Sequence, residues 1–226
     1  MTSARSSGPL DVAVLGTGTV GRTVAAGLAR LGHRVTVGTR DPDGTAAREE
    51  YAAWAADHAD VRLATFADAA AGAGLVVNAS SGQVTLDVLE QAGHDNLAGK
   101  VVVDISNPLD FSRGFPPTLF VKDDDSLGEQ VQRAVPGARV VKTLNTLTAA
   151  LMTDPASLGE PTTVFVSGDD ADAKAFVTGL LHDLGHADVI DLGGIETARG
   201  PEMWLPLWLR TMGALGTAGF NLRIVR

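Results

Sequence analysis

The 226-residue sequence contains no cysteine. That absence excludes disulfides, thiolate metal sites, iron–sulfur clusters and a cysteine nucleophile, and it fits a cytoplasmic protein. No apolar run reaches the roughly 18 residues that a membrane span needs. The opening MTSARSSGPLD has no apolar segment, so residues 1–9 read as a short flexible tail and not as a secretory signal. The net charge is −9 and no basic stripe is visible, which argues against a nucleic-acid partner. A negative surface repels anions at long range, so any phosphate site must be made locally, from backbone amides and a few basic side chains. No metal-ligand spacing is present and no Ser–His–Asp arrangement can be placed. His33, His58, His94, His182 and His186 fall at expected helix ends or turns, so none is a candidate general acid or base. No residue is therefore assigned as catalytic or metal-binding.

What is present is a repeated alternation of short apolar runs with helical periodicity. Expected strands are Asp11–Leu15, Arg34–Gly38, Val61–Ala64, Leu75–Asn78, Val101–Ile105 and Arg139–Thr143. Most are nearly continuous apolar runs, as in strands buried on both faces of a parallel sheet. Helices are expected over Val20–Leu31, Ala46–His58, Phe66–Ala71, Val84–Ala92 and Ser126–Val135, the last with Ser126 and Glu129 as a capping box. The rhythm predicts an α/β fold, a Rossmann-like doubly wound parallel sheet. Asn107–Asp125, with three prolines and three consecutive aspartates, reads as a long functional loop. A smaller repeat follows: strand Thr162–Ser167, helix Ala171–Leu184, strand Ala187–Asp191, and an apolar helix Glu202–Ala214 kinked or started late by Pro206. Residues 10–160 are thus assigned to a dinucleotide-binding domain. Residues 161–226 form a small α/β C-terminal extension packed on it, expected to meet a second substrate and a second subunit.

Gly16-Thr17-Gly18-Thr19-Val20-Gly21 is a full G-x-G-x-x-G between an expected strand and helix. Gly16 permits the tight turn, Gly18 the approach of a pyrophosphate and Gly21 the close packing of helix on strand. The helix N-terminus adds free amides and a partial positive charge. The next strand ends in Thr39-Arg40. An acidic residue there would accept from the adenosine ribose and repel a 2′-phosphate. A hydroxyl and a guanidinium instead predict NADP over NAD.

In open α/β sheets, ligands sit beyond the carboxyl ends of the strands. Three of those ends are small and polar: Asn78-Ala79-Ser80-Ser81-Gly82, Ile105-Ser106-Asn107-Pro108 and Lys142-Thr143-Leu144-Asn145-Thr146. Asn78, Ala79, Ser80, Asn107 and Asn145 are the candidate contacts there. Lys142 and Asp104 are expected to form a buried ion pair in preference to supplying a catalytic lysine. Nucleotide-binding groups without a proton-transfer group suit hydride transfer between two bound cofactors.

LGTGTVGRTVAAGLARLGHRVTVGTRDP resembles the N-terminal part of the NADPH-dependent coenzyme F420 reductases, the 8-hydroxy-5-deazaflavin:NADP oxidoreductases. DISNPLDFSRGFPPTLF, SLGEQVQRAVPGARVVKTLNT and ARGPEMWLPLWLR are similar to a bacterial branch of that family. The resemblance implies a homo-oligomer, possession of NADP and coenzyme F420 as cofactors, and direct hydride transfer between them. It implies Thr17, Thr19 and Val20 at the pyrophosphate and ribose, Thr39 and Arg40 at the 2′-phosphate, and Ala79 and Ser80 near the nicotinamide. Archaeal members carry a basic residue shortly after the arginine, where this chain has Asp43 and Gly44. Other acceptors weighed are a flavin, a quinone or a small carbonyl compound, and a further alternative is a non-catalytic NADP(H) sensor.

Overall fold

The computed structural model describes residues 8–226, so most of the tail expected over residues 1–9 lies outside the described residues. The chain runs β1 (Asp11–Leu15), α1 (Thr19–Arg30), β2 (Arg34–Thr39), α2 (Pro42–Ala46), α3 (Glu49–Ala56), β3 (Arg62–Thr65), α4 (Phe66–Gly72) and β4 (Leu75–Asn78). It continues through α5 (Thr85–Ala92), α6 (His94–Leu97), β5 (Val101–Asp104), β6 (Leu109–Asp110), β7 (Thr118–Leu119), α7 (Leu127–Ala134) and β8 (Arg139–Thr143). The last part is α8 (Ala149–Thr153), β9 (Thr163–Ser167), α9 (Ala171–Asp183), β10 (Asp188–Gly193), α10 (Arg199–Met203) and α11 (Leu205–Leu215).

Eight strands form one sheet in the order β10-β9-β8-β5-β4-β1-β2-β3. The order reverses at β1, which pairs with β2 on one side and β4 on the other, and this creates the crevice of a doubly wound sheet. Side chains alternate between two cores. Val12, Val14, Val77, Val103 and Val141 pack with Val24 and Leu28 of α1 and Val177 of α9. Ala13, Leu15, Val76, Val102 and Val140 pack with Phe66 of α4, Leu89 of α5 and Val131 of α7. Each such fully buried Val or Leu contributes roughly 1.5–3 kcal/mol, which is what holds the strand ends in place.

The sheet is parallel except at one junction. β9 runs against β8, pairing only Ser167 with Lys142 and Val166 with Thr143. Because the strands are opposed and overlap by two residues, Thr163–Phe165 project past the carboxyl end of β8. Thr143 Oγ1 donates to the Phe165 carbonyl at 2.6 Å and fixes that projection. β10 pairs in parallel with β9, so the C-terminal strands extend the sheet outward from β8.

Several expected boundaries shift for local reasons. The helix expected over Ala46–His58 divides into α2 and α3. Asp41 Oδ1 accepts from Gly44 N and Pro42 opens the first turn, so helix starts early, and Arg48 is extended (φ −74°, ψ 125°) and breaks it. The Asn107–Asp125 loop contains the two-residue hairpin β6–β7. The apolar C-terminal helix splits into α10 and α11, with Pro206 tolerated in the first turn of α11.

Candidate active site

The phosphate loop has the backbone its sequence requires. Gly16 adopts φ +128°, and a Cβ there would lie 2.7 Å from the Ala79 carbonyl oxygen. A Cβ on Gly21 would clash with the Gly16 carbonyl oxygen. Both glycines are therefore needed for loop, helix and β4 to meet. Gly18 is the N-cap of α1 with extended backbone and no side-chain cap, and a Cβ there would meet no atom within 4 Å. No acidic residue occupies the first turn of this 12-residue helix. The open backbone at Gly18 and the uncapped amides of Thr19 and Val20 fit a dinucleotide pyrophosphate.

At the end of β2, Thr39 is buried and its hydroxyl shares a 2.9 Å hydrogen bond with Thr45 of α2. Arg48 Nη2 donates to the same Thr45 hydroxyl at 3.2 Å. Arg40 is exposed and makes no hydrogen bond or ion pair among the described residues. Asp41 turns to cap α2 and so does not pair with Arg40. The sequence motif pointed to Thr39 and Arg40. It gave no sign of Thr45 and Arg48, which reach the same corner only because α2 folds back beside β2.

The Ala79–Ser80 turn abuts the phosphate loop, with Ala79 N donating to the Leu15 carbonyl at 3.0 Å. Asn78 is buried beneath it and fully engaged. Its Oδ1 accepts from Ser80 Oγ at 2.7 Å, and its Nδ2 donates to Asp104 Oδ1 at 2.8 Å and to Thr85 Oγ1 at 3.2 Å. Asn78 thus positions Ser80 and presents no free group of its own. Asn107 and Asn145 meet each other: Asn107 Nδ2 donates to the Asn145 carbonyl at 2.9 Å, and Asn145 Nδ2 to Asn107 Oδ1 at 3.2 Å. Asn145 Nδ2 also reaches the Pro201 carbonyl at 3.3 Å, tying the loop after β8 to α10. The turn into that loop passes through Leu144 at φ +59°, a left-handed conformation that costs a non-glycine residue roughly 1–2 kcal/mol.

Lys142 and Asp104 form the expected buried ion pair at 2.9 Å. A second carboxylate, Glu202 of α10, lies 2.8 Å from the same ammonium. Burial pulls the Lys142 pKa down, yet Asp104 and Glu202 outweigh it and the net shift is upward. Glu202 also accepts from the Leu127 and Gly128 amides at 2.7 and 2.9 Å, at the start of α7. Sequence reasoning missed Glu202; the one signal was an acidic residue inside the apolar stretch PEMWLPLWL. Beside it, Arg199 holds the Glu129 carboxyl below its usual pKa, although burial opposes that shift. The expected capping box is accordingly altered. Ser126 Oγ accepts from Glu129 N, but the Glu129 carboxylate takes the Ser126 hydroxyl and Arg199.

A glycine fingerprint at the switch point, a basic corner after β2 and small polar strand ends without a proton-transfer group define a nucleotide-dependent oxidoreductase of Rossmann type. Comparison with known proteins narrows the class. Residues 11–108 match the family model described as NADP oxidoreductase coenzyme F420-dependent. The chain is 30% identical over 160 residues to an F420-dependent NADP reductase of Methanocaldococcus jannaschii, covering 70% of each chain. It is 28% identical to the enzyme of the same description from Methanothermobacter marburgensis, over 88% of this chain and 90% of that one. A crystal structure assigned as an F420-dependent NADP-reductase of Arthrobacter sp. FB24 superposes with a TM-score of 0.94 at 61% identity, covering 96% of this chain and 100% of that one. The protein belongs to the F420-dependent NADP reductase family.

Proposed function

We propose that the protein transfers a hydride between NADP(H) and the deazaflavin coenzyme F420. The observation that carries this reading is the joining of one phosphate loop to one basic 2′-phosphate corner on the family's fold. The pyrophosphate lies against Gly16–Gly21, with Thr17, Thr19 and Val20 as contacts and Gly18 offering bare backbone. Thr39, Arg40 and the Thr45–Arg48 pair receive the 2′-phosphate. Ala79 and Ser80 flank the nicotinamide, with Asn78 holding Ser80 in position. Asn107 and Asn145 brace each other and so shape the acceptor side of the crevice. NADPH supplies the hydride from its nicotinamide ring; the protein's own residues orient that ring and keep water away from it.

The projection of β9 past the carboxyl end of β8 supports assigning residues 161–226 to the second substrate and residues 10–160 to the dinucleotide. α11 supports a homodimer: it buries Leu205 and Leu209 but leaves Leu207 52% and Leu215 58% exposed. No described helix is long and apolar enough to cross a membrane. A cytoplasmic location accords with that and with the absence of cysteine. A small-carbonyl acceptor had Lys142 as its proton donor; that lysine is buried with both carboxylates on it, so the alternative loses its support.

The test is anaerobic mixing with NADPH and oxidised F420. Loss of the deazaflavin's visible absorbance is expected. Unchanged absorbance from protein that calorimetry finds loaded with NADPH would refute the acceptor and leave the dinucleotide assignment standing.

A further inference from the structure

The charge cluster under the Ala79–Ser80 turn can be assigned proton by proton from its hydrogen bonds. Lys142 Nζ has three acceptors: Asp104 Oδ2 at 2.9 Å, Glu202 Oε1 at 2.8 Å and the Ser106 carbonyl at 2.6 Å. Three acceptors use all three protons of an ammonium. Asp104 Oδ1 accepts from Asn78 Nδ2 at 2.8 Å, Ser106 N at 3.1 Å and Ser106 Oγ at 2.7 Å. Glu202 accepts from Leu127 N, Gly128 N and Lys142. Apart from the Ser106 hydroxyl, which can also accept, every neighbour of both carboxyl groups is a donor, the set of partners a carboxylate takes. Two carboxylates around one ammonium give the cluster one positive and two negative charges.

This leaves a net charge of −1 in a cluster whose side chains are at most 2% exposed. Bulk water cannot screen it effectively. The first turn of α7 offsets part of the charge on Glu202 through its two amides. Asp104 has no such helix terminus. It connects instead through Asn78 to Ser80, two hydrogen bonds away. The basic residues Arg40 and Arg48 stand at the far end of the crevice, beyond β1 and beside β2.

Resting on the reading above that Ser80 flanks the nicotinamide, we propose that this buried excess negative charge poises the bound nicotinamide toward its oxidised, cationic form. When NADPH gives up a hydride, one hydrogen with two electrons leaves its ring and is taken up by F420, and the neutral ring becomes a monocation. A fixed negative charge favours the cation and leaves the neutral ring nearly unaffected. The effect eases hydride donation and holds NADP+ more tightly than the same site without the charge. At a separation on the order of 10 Å and an effective dielectric near 20, one charge changes such an equilibrium by about ten- to twentyfold.

Calorimetric binding of NADP+ and NADPH, measured separately, tests this without turnover. Asp104→Asn and Glu202→Gln each remove one negative charge with little change of shape. Asp104→Asn is expected to weaken NADP+ about tenfold and NADPH less than about twofold. Glu202→Gln is expected to shift the ratio in the same direction by a smaller factor, because Glu202 connects to Ser80 only through Lys142, Asp104 and Asn78. If melting curves find Asp104→Asn unfolded, Glu202→Gln carries the test alone. Equal weakening of both forms in a folded variant, or an unchanged ratio, would overturn the proposal. A wild-type protein that binds neither form would instead overturn the dinucleotide reading beneath it.

Discussion

Replacing Lys142 by methionine gives the sharpest test of how the site is supported. The ammonium is the only cation in contact with Asp104 and Glu202 among the described residues, and all three side chains are buried. Breaking a buried ion pair by removing one partner costs about 3–5 kcal/mol, because a bare charge stays behind. Here two carboxylates lose their cation, so a cost near 5 kcal/mol is expected. Backbone amides still solvate Glu202, and Asn78 and Ser106 still solvate Asp104, which keeps the cost from doubling. For a chain of this size each kcal/mol moves the melting temperature by roughly 2–4 °C, so the drop should be about 10–20 °C. Adding Glu202→Gln to Lys142→Met removes one of the stranded charges and should restore part of the loss. Circular dichroism melting of the three proteins at neutral pH measures both steps. If Lys142→Met melts within about 2 °C of wild type, or if the added Glu202→Gln lowers the melting temperature further, the ion-cluster argument is wrong.

Other outcomes follow from the same geometry. Arg40→Ala should weaken NADPH by roughly 1.5–3 kcal/mol and leave NADH nearly untouched, while Arg48→Ala should cost less because its hold passes through Thr45; comparable losses for both dinucleotides in calorimetry would make these arginines structural. Gly21→Ala places a methyl group against the Gly16 carbonyl and should cost at least about 2 kcal/mol in urea unfolding along with dinucleotide binding; wild-type stability would contradict it. His186 is buried, and its pKa is pushed below the usual 6.5 by that burial, against the opposing Met152 carbonyl. Its folded state resists protonation, so stability is complete above about pH 6.5 and falls as the pH drops through the lower folded value. The urea midpoint should therefore be lower at pH 5.5 than at pH 7.5, and His186→Gln should reduce that difference.

The parts of this molecule legible in its sequence are those where local backbone chemistry decides. Gly16, Gly18 and Gly21 announce a turn, an open edge and a close approach, and their spacing alone locates the loop. The apolar runs of β1, β4, β5 and β8 mark strands buried on both faces, and the small residues that follow them mark where those strands stop. Direction is different. β9 looks like any other apolar strand, because TVFVS has no feature that distinguishes parallel from antiparallel pairing, and only the connection through α8 reverses it. Contacts distant along the chain are equally silent. Glu202 meets Lys142 across 60 residues, and Thr45 joins Thr39 through a fold of α2 that the Ala-rich stretch after it obscured. The lysine–aspartate pair was readable since both residues end adjacent strands, whereas the third charge arrives from a helix whose docking no local pattern specifies.

The reversal at β9 brings a later stretch of chain up against the carboxyl end of β8. The phosphate loop and the basic corner after β2 both lie within residues 11–108, the span that matches the family model. Residues past 160 are tied to β8 and the loop after it at Lys142, Thr143 and Asn145, and to the start of α7. On the proposed reading, substitutions past residue 160 change the acceptor side and leave the phosphate loop intact, provided those tethers survive.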